Sequence, residues 1–255
     1  MQSTTKLLSR PFLWSLLVLA LSIIVVQMFY ATVVSPIAEN ALTAGGAAAS
    51  RGFFVIIKDA EQQVCIIAML WCSYLILAKA WALTQAQPLF RLDFLAGQAE
   101  QGELDLPKAL NELEQSQYSE QPLLQTWIIC IRRYLHTQDV QNASDAIQAS
   151  VESLAVRLES GNSMIRYLIW AIPSIGFIGT VRGIGQALAQ ADEALAGNIA
   201  GMVDSLGVAF NSTLVALFIS IFLMLLLHWL QHLQDAMVVE TQAHCEKYLL
   251  KHLHA

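Results

Sequence analysis

Few residues of this 255-residue chain invite a chemical reading, and the most suggestive sit in an apolar setting. The stretch SIGFIGTVRGIGQAL, residues 174–188, is apolar enough to cross a bilayer, yet it carries four glycines, Thr180 and Arg182, and no acid. Pro173, Gly176, Thr180 and Gly183 recur at steps of three, four and three, so they share one helix face, with Gly179 beside them. Further on, Ala209, Ser212 with Thr213, Ala216 and Ser220 repeat that spacing. Close packing of membrane helices calls for small residues of this kind, and a threonine can bond to its own backbone. The functional alternative is a surface against which water or another helix moves. Among the histidines, His228 and His232 stand at i, i+4, with His244, Cys245, His252 and His254 beyond. That spacing puts two imidazoles on one helix face, but no CxxC, HExxH or third carboxylate ligand accompanies them, so neither a metal nor a cofactor is expected. With no nucleophile elbow, phosphate loop or intramembrane acid pair, no enzyme is expected either.

The elements that must hold these residues are spans. Hydrophobic residues make up 56% of the chain and charged ones 13%, and the apolar residues cluster into blocks of about 20, the length that crosses a hydrocarbon core. Four segments qualify: about 12–34, 64–83, 167–187 and 206–230. The first has a basic start at Lys6 and Arg10, but its apolar run is too long for a cleaved signal peptide. With the N-terminus inside, eleven of the 14 Lys and Arg fall on the cytoplasmic side, leaving Arg51, Lys58 and Arg182 elsewhere. Trp14, Trp81, Trp170 and Trp229 then all lie at cytoplasmic ends. Both termini are therefore expected in the cytoplasm. No cysteine finds a partner in an oxidising space, so no disulfide is expected, and the net charge of −6 argues against nucleic-acid binding.

The expected fold is an all-α integral membrane protein, with four transmembrane helices and long helices extending into a cytoplasmic helical region. Residues 1–83 form an N-terminal hairpin of spans, 84–163 a cytoplasmic helical insertion, 164–230 a second hairpin and 231–255 an amphipathic cytoplasmic helix. Pro88, Pro107 and Pro122 mark helix starts in the insertion, with Asp105 or Ser119 as caps. Ile147, Val151, Leu154, Leu158 and Ile165 continue at near-heptad steps, which predicts one long helix running into the third span. Arg132 and Arg133, like Glu112 and Glu114, read as a solvated helix face. ALTAGGAAAS, residues 41–50, reads as an outer loop.

AIPSIGFIGTVRGI at 171–184 and SLGVAFNSTLVALF at 205–218 together resemble the paired signature of the MotA/TolQ/ExbB family of proton-channel and stator subunits. Pro173, Gly176, Gly179, Thr180, Val181 and Gly183 match the first motif, and Thr213 and Leu217 match the second. The resemblance implies a homo-oligomeric ring of five subunits in the bacterial inner membrane. Within the ring stand the single transmembrane helices of a MotB/TolR/ExbD-like partner, whose intramembrane aspartate carries the proton. Thr180, Thr213, Pro173, Gly176, Gly179, Gly183, Ala209 and Ala216 are the expected pore- or partner-facing residues. The implied function is a proton-conducting motor subunit; the alternative is a non-conducting scaffold or export-complex subunit of the same fold. Three departures stand out: Ala216 replaces a usual glycine, a later proline is absent from FISIFLM, and Arg182 occupies an apolar position. Arg182 is expected to reach outward or to pair with Asp192, Glu193 or Asp204, with a charge at the outer mouth as its sharper role.

Overall fold

The computed structural model describes residues 10–44, 52–95 and 105–253. Lys6, Arg51, His254 and positions 45–50 of the expected outer loop lie outside them, while residues 41–44 are helical. The described residues are helical with no strand, and four helical stretches are long and apolar enough to cross a membrane. The protein is therefore an all-α integral membrane protein. It divides into two compact units: residues 1–77 with 164–227, and residues 78–163 with 228–255.

The first unit holds the span segments. Helix α1, Arg10–Phe29, passes through a π-helical turn, Tyr30–Val34, into α2, Ser35–Ala44. The short α3, Phe53–Ile56, returns to it, because the Tyr30 hydroxyl donates to the Ile57 carbonyl at 2.6 Å and Val26, Tyr30, Val34 and Ile57 close an apolar cluster that also receives Val215. Helix α4, Ala60–Ala86, lies along α1 through Gln63 bonded to Gln27 and the Trp71 indole N–H donating to Ser15 O at 3.0 Å. Helix α8, Ser163–Ala189, and helix α10, Ala200–His244, form the hairpin, joined by the short α9, Ala191–Leu195.

Pro173 sits inside α8 and removes one ladder hydrogen bond, which leaves the carbonyl four residues back, Ile169, without its donor. In a bilayer such a carbonyl needs a substitute. Ser220 of α10 supplies it, its hydroxyl donating to Ile169 O at 3.3 Å from a buried position. Ser220, included at the sequence level as part of a weakly polar stripe, thus makes the proline tolerable.

The second unit is built from α5, Leu106–Gln115, α6, Pro122–Thr137, α7, Val140–Ser160, a 3₁₀ turn at Gln87–Arg91, and the inner end of α10 with the π-helical Cys245–Leu250 and the final turn α11, Lys251–Leu253. All three prolines of the insertion stand at element starts, and Asp105 caps α5 by accepting from Lys108 N at 3.1 Å. Ser119 caps nothing: the N-cap position of α6 is Gln121, and Ser119 sits in the preceding turn. The core gathers Leu123, Leu124, Trp127, Cys130 and Ile131 of α6 with Ala143, Ile147 and Val151 of α7 and Leu249. The single long helix expected from residue 139 into the third span is interrupted at Gly161–Asn162. Asn162 is fully buried there and exchanges hydrogen bonds with the Gln234 amide at 2.7 and 3.4 Å, so its side chain is held by α10.

Candidate functional site

The glycines of α8 decide how closely α10 can approach. A Cβ at Gly176 would stand 2.5 Å from the Ala216 Cβ, one at Gly179 2.6 Å from the Ser212 Cβ, and one at Gly183 2.8 Å from the Ala209 Cβ. Gly176, Gly179, Gly183, Ala209 and Ala216 are all buried. These five residues form the seam between the two helices of this chain, where missing side chains bring the backbones together and dispersion contacts replace them.

The two threonines lie on one edge of that seam. Thr180 and Thr213 are half-buried, and their hydroxyls bond each other. The Thr180 hydroxyl is also 3.0 Å from Ala209 O and 3.4 Å from Gly176 O, and the Thr213 hydroxyl is 3.5 Å from Gly176 O. Each hydroxyl has one proton and two lone pairs. When Thr180 donates to Ala209 O and Thr213 donates to Thr180, a lone pair on Thr213 Oγ1 is left to accept from outside. Pro173, half-buried, stands on the same edge of α8 two turns away.

Helix α4 covers the opposite edge. The Gln62 side chain, fully buried, donates through Nε2 to the Ser212 hydroxyl at 3.3 Å, the Glu61 side chain lies against Gly179, and the Cys65 thiol points at Ile172 O, 3.8 Å away. On both helices the covered residue (Gly179, Ser212) is followed by the threonine about 100° further round, which places the threonine pair on the edge that α4 leaves open.

Arg182 departs from its expected pairing. Its guanidinium donates to the Glu61 carboxylate at 2.8 Å, with the Arg182 side chain 43% and the Glu61 side chain 11% exposed, so its partner is neither Asp192, Glu193 nor Asp204. The reason is positional: α4 begins at Ala60, bringing Glu61 beside Gly179, one turn from Arg182. In the sequence Glu61 stands just ahead of the apolar block at 64–83. Charge pattern alone carried no signal that this acid crosses to α8.

The histidines separate into different settings. His244 is buried in the second unit, where the Trp127 indole N–H donates to its Nδ1 at 3.2 Å and its Nε2 lies 3.0 Å from Leu92 O. The Trp127 bond fixes the neutral tautomer with the proton on Nε2, and burial holds the imidazole pKa below its ordinary value against the opposing pull of the Leu92 carbonyl. Burial likewise pushes the neighbouring Cys130 thiol up to about 12, so it serves as an inert packing group. His252 faces Asp93 at 3.2 Å. Among the described residues no three His, Cys, Asp or Glu side chains gather as metal ligands. Arg132 pairs with Glu114 at 2.5 Å on the surface of the same unit.

The two spans are thus sealed glycine against alanine, with the Thr180 and Thr213 hydroxyls on the edge that α4 leaves open. The sequence pattern of the MotA/TolQ/ExbB proton channel family matches residues 110–243, and the chain belongs to that family. No curated protein and no solved structure matches the chain.

Proposed function

We propose that this chain is a proton-conducting motor or stator subunit of the bacterial inner membrane, with both termini in the cytoplasm. It forms a ring, five-fold as in the family, around the transmembrane helices of a MotB/TolR/ExbD-like partner that carries an intramembrane aspartate. The observation that carries the reading is the half-buried Thr180–Thr213 pair on the one edge of the seam that α4 does not cover. Of the eight residues expected to face the partner, Thr180, Thr213 and Pro173 hold that edge. The buried glycines and alanines act through it, by fixing the helix spacing that aligns the two hydroxyls.

The chemistry is differential solvation of the partner's acid. An ionised carboxylate in a dry apolar lumen is costly, and its protonated form needs an acceptor. Thr213 Oγ1 offers that acceptor when Thr180 holds the seam carbonyl, and rotation of either hydroxyl turns it into a donor for the ionised form. Binding and release of the proton therefore change how well each subunit holds the partner helix, which couples ion flow to relative movement. The test is proton uptake by liposomes holding this chain with a single-span partner bearing an intramembrane Asp. The expected result is partner-dependent uptake that Thr180→Val and Thr213→Val each reduce at least tenfold; uptake unchanged in both variants overturns the reading.

A further inference from the structure

At the start of α4 two buried acceptors, Asp59 Oδ2 and Gln62 Oε1, have no hydrogen-bond partner among the described residues. Gln62 is fully buried, and its Nε2 is engaged with the Ser212 hydroxyl at 3.3 Å, so the bare oxygen is held in place by the other end of the same amide. The Asp59 carbonyl accepts the first backbone bond of the helix, from Gln63 N at 3.2 Å, which makes Asp59 the N-cap and Gln62 the third helical residue. Side chains at those two positions face each other across the first turn. Two acceptors without a proton thus share one turn away from water, which costs free energy until a donor comes between them.

The surrounding charges indicate which donor. Lys58 and Glu61 flank Asp59 in the chain, while Arg182 acts on it from α8, Asp204 from α10 and Tyr30 from the turn after α1. The Tyr30 hydroxyl is committed to Ile57 O and the Arg182 guanidinium to Glu61, and neither Lys58 nor Arg182 forms an ion pair with Asp59 among the described residues. With Asp59, Glu61 and Asp204 ionised, three negative charges stand against the two positive ones of Lys58 and Arg182, so one further positive charge neutralises the group. Burial holds the Asp59 carboxyl above the usual carboxylate range; Lys58 and Arg182 oppose this, and Glu61 and Asp204 add to it. A hard cation such as Ca²⁺ collects about six to eight oxygens, whereas a single hydrogen serves two.

We infer that Asp59 is a proton-binding site of this subunit, its protonated carboxyl donating from Oδ2 to Gln62 Oε1, and that the loaded pair fastens the start of α4 to the α8–α10 hairpin. Gln62 then accepts at one end and donates to Ser212 at the other, a continuous chain of hydrogen bonds from Asp59 to α10. Loss of the proton sets a carboxylate against the Gln62 oxygen and makes it compete with Glu61 for Arg182, which loosens both contacts at this end of α4. Asp59 is half-buried, so the proton exchanges with water directly. The site lies on the edge of the seam that α4 covers, opposite Thr180 and Thr213, and so does not depend on conduction. Only the side from which it loads rests on the reading above, whose topology puts this end of α4 outside.

The test is infrared difference spectroscopy of the full-length chain in nanodiscs, stepped between about pH 8 and about pH 5, above the ordinary carboxylate range. The expected result is a protonated-carboxyl C=O band that shifts in D₂O and is absent from Asp59→Asn. In Gln62→Leu the band should move to the higher frequency of a carboxyl that donates to nothing. Identical spectra in the parent and Asp59→Asn overturn the site, and an unmoved band in Gln62→Leu overturns the pairing. Stability gives a second readout, because Asn caps a helix as well as Asp does and resembles the protonated acid. The folded Asp59 holds its proton more readily than the unfolded one, so the parent gains stability as pH falls through the folded pKa. Asp59→Asn should therefore unfold at a higher SDS fraction than the parent at the alkaline end, an advantage that disappears at the acid end. A lower SDS fraction for the variant at both ends overturns the inference. So does a parent midpoint that rises with Na⁺ or K⁺ at constant ionic strength and does not do so in Asp59→Asn, which would put a metal ion in place of the proton. The band without partner-dependent proton uptake leaves this site standing and removes conduction; uptake without the band does the reverse.

Discussion

Moving one methyl group across the α8–α10 seam tests the structure quantitatively. In Gly176→Ala the new Cβ would stand 2.5 Å from the Ala216 Cβ and 3.0 Å from Ser212 O, a backbone atom that cannot rotate away. Overpacking of this degree costs about 1–3 kcal/mol, and replacing a helical glycine returns up to about 1 kcal/mol, so a net loss of about 1–2 kcal/mol is expected. Ala216→Gly alone should lose a similar amount, from the helix penalty and from the missing seam contact. In the double variant the helix terms cancel and the methyl faces a vacated position, leaving only the 3.0 Å approach to Ser212 O, so stability should return to within about 1 kcal/mol of the parent. The coupling energy is then about 1–4 kcal/mol, the size expected for residues in direct contact. Unfolding in mixed bicelles, followed by circular dichroism over an SDS titration, measures all three. Additive losses in the double variant would refute the direct Gly176–Ala216 contact, and with it the seam that aligns Thr180 and Thr213.

Three further outcomes follow from named contacts. Glu61→Gln or Arg182→Gln strips one partner from a largely buried carboxylate pair and should destabilise by about 1–3 kcal/mol, less than a fully buried pair because Arg182 is partly exposed, whereas Glu61→Arg with Arg182→Glu should recover most of it in the same titration. The folded His244 binds its proton less readily than the unfolded one, so the unfolded state takes up more protons below about pH 6.5 and stability should fall as pH drops through that window; His244→Gln should flatten the melting temperature between about pH 7 and pH 5. Ser220→Ala orphans the Ile169 carbonyl that Pro173 exposes and should cost about 1–2 kcal/mol, a loss that a Pro173→Ala background should largely abolish.

Local signals carried the architecture. Blocks of apolar residues announce spans because lipid demands about 20 of them in a row, and Pro88, Pro107 and Pro122 announce element starts because a missing N–H costs nothing there. The small-residue steps at 173–183 and 209–220 show which faces are bare, but a helical wheel cannot tell whether bareness serves a neighbour in the same chain or a lumen. Distances at Gly176, Gly179 and Gly183 give the neighbour in the same chain, and the adjoining threonines keep the open edge. Pairings across long sequence separations left no trace in local pattern. Glu61 with Arg182, Gln62 with Ser212, Asn162 with Gln234 and Trp127 with His244 are separated by 121, 150, 72 and 117 residues, so each needed the fold to bring it together. The interruption at Gly161–Asn162 was hidden for the same reason, since Asn162 is held by a residue of α10.

The central claim is that the Thr180–Thr213 edge borders a shared lumen filled by an acidic helix from another chain. Electron cryo-microscopy of the complex in lipid nanodiscs measures it directly. The account predicts that edge turned towards the common axis within contact distance of the partner's carboxyl group, and α4 on the lipid side. Density with α4 at the axis and the two threonines against acyl chains would contradict it.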